Sequence, residues 1–276
     1  MGYIMGYGIH DGLKERFLLA NERGELVVPV SKTDSRRLER AFKRGDIIRP
    51  ARCVYALPEC WEKLNPIEQA RRAIRALAKL HPAWVFSHTS AAVIHNLEVG
   101  YGQLGRIHLA CTPQSRTQSI GTIQRHFIRE DAFEQVDGVN VTSLERTTFD
   151  CMRASRFPRA LAIADSALRV SGKGPDELVS AFRALHKGHR NWQRPIEVMP
   201  YASPLAENGG ESVARATMIK LGYEVPRLQV VVPNLVDPAA SYRVDFYWEL
   251  ADGPVAGELD GHDKYVDPGM TNGRQD

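Results

Sequence analysis

The stretch from Tyr242 to Asp260 admits few conformations. Tyr242, Val244, Phe246 and Trp248 alternate with Arg243, Asp245 and Tyr247. A period of two in aromatic and β-branched residues marks a strand with one buried face. Asp252-Gly253 is a turn signal, and Val255 to Asp260 reads as the returning strand, with Glu258 and Asp260 on one face and Leu259 on the other. A turn at 252–253 sets residue i opposite 505 − i, which places Asp260 across from Asp245. A turn one residue earlier sets it opposite 503 − i, which places Glu258 there instead. In either register Asp245 shares a face with two carboxylates. Like charges opposed across strands repel, so something positive must compensate: a divalent cation, Lys264 or Arg243. Three convergent carboxylates suit Mg²⁺ or Mn²⁺.

Upstream, Asn208-Gly209-Gly210-Glu211 opens a helix with Ala214, Thr217, Met218 and Leu221 facing inward and Gly222 as its stop. Glu211 stands three residues after Asn208 and four before Arg215. That spacing suits a capping box and a helical ion pair as well as a ligand role.

Charge divides the chain. The 276 residues carry a net +3, but Lys32 to Arg52 holds eight cations (Lys32, Arg36, Arg37, Arg40, Lys43, Arg44, Arg49, Arg52) against three anions. From Tyr201 to Asp276 there are six cations and twelve anions. A basic head is suited to a polyanion and an acidic tail to a cation. No run of eighteen apolar residues exists, so no membrane span is expected. Met1–His10 lacks the basic start of a secretory signal. Cys53, Cys60, Cys111 and Cys151 form no C-x-x-C pair and are expected to be reduced thiols, with a cytoplasmic location as the default.

In the basic head, Gly12–Asn21 has helical spacing and Leu26–Val30 is short and extended. Thr33 or Asp34 is placed to cap a helix that runs to Arg44, with Gly45 as its stop. Leu38, Ala41 and Phe42 form its apolar stripe; Arg36, Arg40 and Lys43 project from another face. Asp46–Leu57 then reads as a two-stranded wing with basic residues at its tip. Helix, glycine stop and basic hairpin in that order outline a winged helix-turn-helix that would contact DNA.

In the middle, Asn65 caps and Pro66 starts a helix to Leu80, with Arg71, Arg75 and Lys79 as a solvated stripe. Ser87–Ala92 begins another helix. Short strands are expected at Arg106–Thr112, Thr122–Arg129 and Val139–Thr142, then helices from Ser143, at 157–171 and at 174–188. Arg146 and Asp150 are spaced for a helix-surface ion pair. His88 and His95 share a helical face; without a third ligand, packing or a hydrogen bond is the better reading of both.

Lys43-Arg44-Gly45-Asp46-Ile47-Ile48-Arg49-Pro50-Ala51-Arg52-Cys53-Val54-Tyr55-Ala56 resembles the wing of AbiEi-type antitoxins, where an "rGelvr-rrGvYa" string marks it; Cys53 stands at the family's glycine. The Ser87–Ala92 and Thr142–Asp150 stretches are similar to segments of the same proteins. The resemblance implies DNA binding, often to the family's own operon. Glu211, Val244-Asp245-Phe246, Gly257-Glu258-Leu259-Asp260-Gly261 and Lys264-Tyr265, with thirteen residues from Asp245 to Glu258, resemble the PD-(D/E)xK endonuclease superfamily, near its very-short-patch-repair branch. By that resemblance Asp245 and Glu258 bind the metal, Glu211 is an accessory ligand or orients a base, Asp260 stands at the usual lysine, and Lys264 supplies the migrated cation. The family core needs a further helix and strand. The chain stops sixteen residues after Asp260, so the module is expected to be incomplete, degenerate or completed by a partner.

The expectation is an α+β multidomain protein: a winged helix at 1–58, a mixed α/β middle at 59–200 and a nuclease-like domain at 201–276. It would bind double-stranded DNA and hydrolyse phosphodiesters with Mg²⁺ or Mn²⁺ in defence or DNA processing. The alternative is a non-catalytic type IV antitoxin or transcriptional regulator, partnered by a cognate toxin or a second copy.

Overall fold

The computed structural model describes residues 11–111, 119, 121–128, 133–185, 188–234 and 240–260. Lys264, Gly261 and the N-terminal segment read for an export signal lie outside the described residues. The architecture is α+β, with small sheets distributed over two compact units, Met1–Thr147 and Thr148–Asp276.

Unit 1 begins with α1 (Asp11–Glu22) and α2 (Lys32–Arg44), then β1 (Ile48–Ala51) and β2 (Val54–Ala56). Ser31 is the N-cap of α2, its hydroxyl accepting from Asp34 N at 3.1 Å. Asp34 was a candidate cap; instead its carboxylate sits inside the first turn, takes two bonds from Arg16 at 2.8 and 2.9 Å and accepts from Val30 N. A cap must have extended backbone, which Ser31 has (φ −155) and a helical Asp34 does not.

Leu38 and Ala41 of α2 join Leu13, Phe17, Val27, Ile47, Tyr55 and Leu57 in a buried cluster. Burying an aliphatic or aromatic side chain of this kind contributes about 1.5–3 kcal/mol. Val27 pairs with Tyr55 through two backbone hydrogen bonds (3.0 and 2.9 Å), which adds a third extended segment to the hairpin.

Gly45 ends α2 with φ 82 and donates to Ala41 O and Phe42 O. A Cβ placed there meets nothing within 4 Å, so a side chain costs only backbone strain. Gly45→Ala is therefore expected to destabilise unit 1 by about 1 kcal/mol, read as a lower urea midpoint at unchanged slope.

The rest of unit 1 comprises α3 (Pro58–Trp61), α4 (Pro66–Leu80), α5 (His88–Ile94), β3 (Ile107–Cys111), β4 (Ile123–Phe127), β5 (Phe133–Val136) and β6 (Val139–Thr142). β5 was not anticipated. Asn65 caps α4, accepting from Glu68 N. The Arg71, Arg75 and Lys79 stripe is not simply solvated: each cation meets a carboxylate, Glu68, Asp137 and Glu25 respectively. β3 and β4 pair in parallel, β5 and β6 antiparallel, and buried Phe86 bridges Leu109 and Val141 to join them.

Helix α6 (Leu144–Ala154) crosses from one unit to the next. Arg146 and Asp150 are buried, 2% and 0% exposed, so their i, i+4 spacing lies in the interior and not on the helix surface. Asp150 takes Arg153 Nε at 2.8 Å.

Unit 2 continues with α7 (Phe157–Ser171), α8 (Pro175–Leu185), α9 (Gln193–Val198), α10 (Gly209–Lys220), β7 (Arg227–Pro233), β8 (Ser241–Leu250) and β9 (Gly253–Gly257). α10 packs on α7. Between them Arg215 meets Asp165 at 2.6 Å, both side chains at most 3% exposed. The three strands form an antiparallel meander in the order β7-β8-β9. Val244 and Phe246 are buried while Asp245 and Tyr247 are only partly covered, as the alternation requires.

Candidate nucleic-acid interface and carboxylate site

All eight cations of the basic head are exposed. Arg36, Arg40 and Lys43 of α2 and Arg49 and Arg52 of the β1–β2 hairpin line one open concavity of about 660 Å³, together with Ser35, Glu39, Cys53 and Tyr55. Lys32, Arg37 and Arg44 are not among its lining residues, and Arg44 is paired with Asp46 at 2.6 Å. The helix and hairpin are locked together at Glu39, whose Oε2 accepts from Arg49 Nη1 and from the Tyr55 hydroxyl, both at 3.2 Å. Burial, then the Glu39 bond, push the Tyr55 phenol above its ordinary value, so it stays a donor. Arg49 also lies over the Phe42 ring, 4.4 Å from its centroid. Cys53 turns the hairpin with φ 60, a left-handed conformation that a glycine adopts freely. Nothing local in the sequence shows that Glu39 bonds Arg49 and Tyr55 across helix and hairpin.

In unit 2 the ladder selects one of the two registers. Leu250 pairs with Gly253 and Phe246 with Gly257, which extends to Asp245 opposite Glu258. The bend is tight enough to bring Leu259 N to Asp245 Oδ2 at 2.9 Å. Leu259 also lies over the start of α10: a Cβ on Gly210 would come within 3.2 Å of it. Glu258 and Asp260 are exposed at this strand end.

Glu211 is 5% exposed at the N-terminus of α10. Its carboxylate accepts from Glu207 N at 2.8 Å and from Asn208 Nδ2 at 2.5 Å, while its own N–H donates to Asn208 Oδ1. The side-chain cap at Asn208 is therefore present, but Glu211 reaches back to Glu207 N and the Asn208 amide and not to the Asn208 backbone N–H that a capping box uses. The Arg215 partner is not present, since Arg215 is taken by Asp165. Gln229 of β7 joins Glu211 to Asp245, its Nε2 lying 3.4 Å from Glu211 Oε2 and 3.3 Å from Asp245 Oδ1. Burial pushes the Glu211 carboxyl above the ordinary range, and the charges of Asp245 and Glu207 push the same way. Arg243, the compensating cation considered from sequence, pairs with Glu207 at 2.6 Å.

No family model matches this chain. It is similar to uncharacterized proteins of Mycobacterium tuberculosis, one from strain CDC 1551 and one from strain H37Rv. Each is 27% identical over 216 residues, which cover 77% of this chain and 73% of the relative.

Among the described residues no three His, Cys, Asp or Glu side chains are gathered as ligands of one ion. In unit 2 the amide of Gln229 lies between the carboxylates of Glu211 and Asp245. Gln229 Oε1 is buried with no hydrogen-bond partner, beside two carboxylates held in common. Gln229 was missed from sequence because its place opposite Asp245 depends on pairing across the β7–β8 connection. The histidines do not make such a site either. His95 Nε2 lies 2.8 Å from Thr142 O. His88 stacks on His126 at 3.6 Å, and His108 Nδ1 meets His126 Nε2 at 2.8 Å. No helix among the described residues is long and apolar enough to cross a membrane.

Proposed function

We propose that unit 1 binds double-stranded DNA, with α2 as the recognition helix of a winged helix and the β1–β2 hairpin as its wing. The observation that carries this reading is the shared concavity: five cations from two elements line one surface. In this geometry the helix lies in the major groove, and its cations and those of the wing take backbone phosphates along that groove. Arg49, stacked on Phe42 and held by Glu39, is preset in position and loses little side-chain freedom on binding.

A second reading concerns unit 2, and the Glu211–Gln229–Asp245 arrangement favours it. We infer a restriction-endonuclease-like module that hydrolyses phosphodiester bonds in defence or DNA processing. Asp245, Glu258 and Asp260 would hold Mg²⁺ or Mn²⁺, which supplies charge neutralisation at the phosphate and a more acidic bound water. Leu259 N orients Asp245 Oδ2 toward the strand end. Glu211, on the first helix of the module, would be an accessory ligand or orient the base, linked to Asp245 through Gln229. Lys264 enters this reading only through its place in the sequence.

Two assays on the full chain test both readings. Binding to a labelled duplex is expected to weaken steeply with salt, with a log–log slope of about −4 for five phosphate contacts partly engaged; a slope near zero overturns the first reading. Plasmid cleavage with Mg²⁺ or Mn²⁺ is expected for the wild type and absent in Asp245→Ala and Glu258→Ala. Salt-dependent binding without cutting would leave a DNA-binding regulator or antitoxin.

A further inference from the structure

A second cleft in unit 1, of about 350 Å³, uses the other face of β1. Successive residues of a strand face opposite ways. Arg49 lines the basic concavity, whereas Pro50 lines this cleft together with Ala51. The opposite wall is α4 and α5, where Ala70, Ile74 and Val93 supply apolar surface. Small-molecule sites of this size pair apolar walls with a few placed polar groups. Two such groups stand at the start of β3. Ser90 is 2% exposed; its Oγ accepts from His108 N at 2.9 Å, and its own proton has no acceptor among the described residues. Arg106 stands exposed at the rim. Arg71, Arg75 and Lys79 of α4 each meet a carboxylate. Arg106 makes no ion pair among the described residues; its side chain reaches the neutral amide of Gln124 at 3.4 Å. No other charged residue lines the cleft among the described residues.

We propose that this cleft binds a small amphipathic anion, with a flat apolar body against α4 and α5 and one carboxylate at Arg106 and Ser90, and that its occupancy weakens the hold of the wing on DNA. The regulatory part rests on the winged-helix reading of unit 1. A single unpaired guanidinium at the mouth of an apolar cleft calls for a single negative charge, and its planar fork matches a carboxylate. The Ser90 hydroxyl gains an acceptor and keeps the bond from His108 N. The walls bury the apolar body. Arg49 and Pro50 are consecutive in a strand of four residues. A ligand pressed on Pro50 and Ala51 shifts Arg49 from the position set by Glu39 and Phe42, and its carboxylate cancels a positive charge beside the wing. Both effects oppose phosphate contact.

The test is calorimetric titration of the full chain with 2-naphthoate, and with 2-naphthalenemethanol as its uncharged counterpart. The wild type is expected to take up 2-naphthoate at one site. Arg106→Gln is expected to weaken 2-naphthoate by about 10-fold and to leave the alcohol unchanged, which isolates the charge pair. Ala70→Phe fills the cleft from α4 and is expected to abolish binding of both; Arg106→Gln, at an exposed position, serves if that variant fails to fold. Duplex affinity at saturating 2-naphthoate is expected to fall by about 5-fold relative to an equal concentration of potassium chloride, and bound duplex is expected to weaken 2-naphthoate by the same factor. No 2-naphthoate binding by the wild type at millimolar concentration overturns the site, as does binding that survives in folded Ala70→Phe. Equal binding by the wild type and Arg106→Gln overturns the anionic ligand. Duplex affinity that is unchanged or raised by 2-naphthoate overturns the regulation, and the winged-helix reading survives. A wild type that binds 2-naphthoate but no duplex overturns that reading and the regulation with it.

Discussion

An Arg36→Ala/Arg40→Ala protein is expected to bind duplex DNA about 100-fold more weakly than the wild type near physiological salt, and its log–log salt slope is expected to be shallower by about 2. The two arginines lie one turn apart on the exposed face of α2 and line the concavity shared with the wing. Neither is needed for folding. α2 is held by Leu38 and Ala41 in the core, by the Ser31 cap and by Gly45. The polar contact between the two arginines is a side-chain bond from Arg40 Nε to Arg36 O, and alanine is the residue most favourable to a helix. Lost binding with unchanged unfolding therefore reports contact rather than collapse. Arg49→Ala should behave differently: it removes a cation and also frees Glu39, which then faces the DNA as an unpaired anion. A double variant with the wild-type slope would rule out α2 as the DNA-contacting element.

The second large effect is structural. Arg215→Met is expected to destabilise unit 2 by about 3–5 kcal/mol at neutral pH, because it leaves the buried Asp165 carboxylate without its cation. Asp165 would retain the bond from Ser203 N at 2.8 Å, which does not replace a full charge. The penalty should depend on pH with a definite sign. Burial raises the Asp165 carboxyl above its ordinary value, even with Arg215 beside it. The folded protein therefore binds that proton more tightly than the unfolded chain. Stability is gained as pH falls through the folded-state value and lost as pH rises through it. Urea unfolding of Arg215→Met should thus show a smaller deficit near pH 5 than at pH 7.5. A deficit that does not change with pH would mean that Asp165 is not the source. Replacing both partners with apolar residues of similar volume should recover much of the loss, since a removed pair strands no charge.

The relatives from Mycobacterium tuberculosis match most of the chain, so the arrangement of basic head and acidic tail can be sought there by the same two assays. What carries an assignment is whether the five cations bind a polyanion and whether the carboxylates of unit 2 support cleavage.

Much of the local structure was legible in the sequence because its causes are local. The stop at Gly45, the caps at Asn65 and Asn208, the spacing of Leu38 and Ala41, and the alternation through Tyr242–Trp248 each depend on residues within a turn or two of one another. The hairpin between β8 and β9 was legible as well, but its register was not. Two turns one residue apart satisfy the same pattern, and pairing of Leu250 with Gly253 chooses between them.

Other features depend on distance along the chain. Asp165 and Arg215 are fifty residues apart, and nothing near either announces the other. Arg146 and Asp150 have the spacing of a surface pair, yet the packing of α6 buries both. Gln229 looks like one polar residue in an apolar strand until β8 brings Asp245 across from it. The sequence by itself determined most helices and strands and several of their ends, since those follow from short-range sterics and periodicity, but not β5, nor the face of α10, where Leu221 is exposed and Ser212, Arg215 and Ala216 are buried. Only the tertiary structure decided which charges meet in the interior, because burial and a partner's position set the energy of a charge more than its neighbours in the chain do.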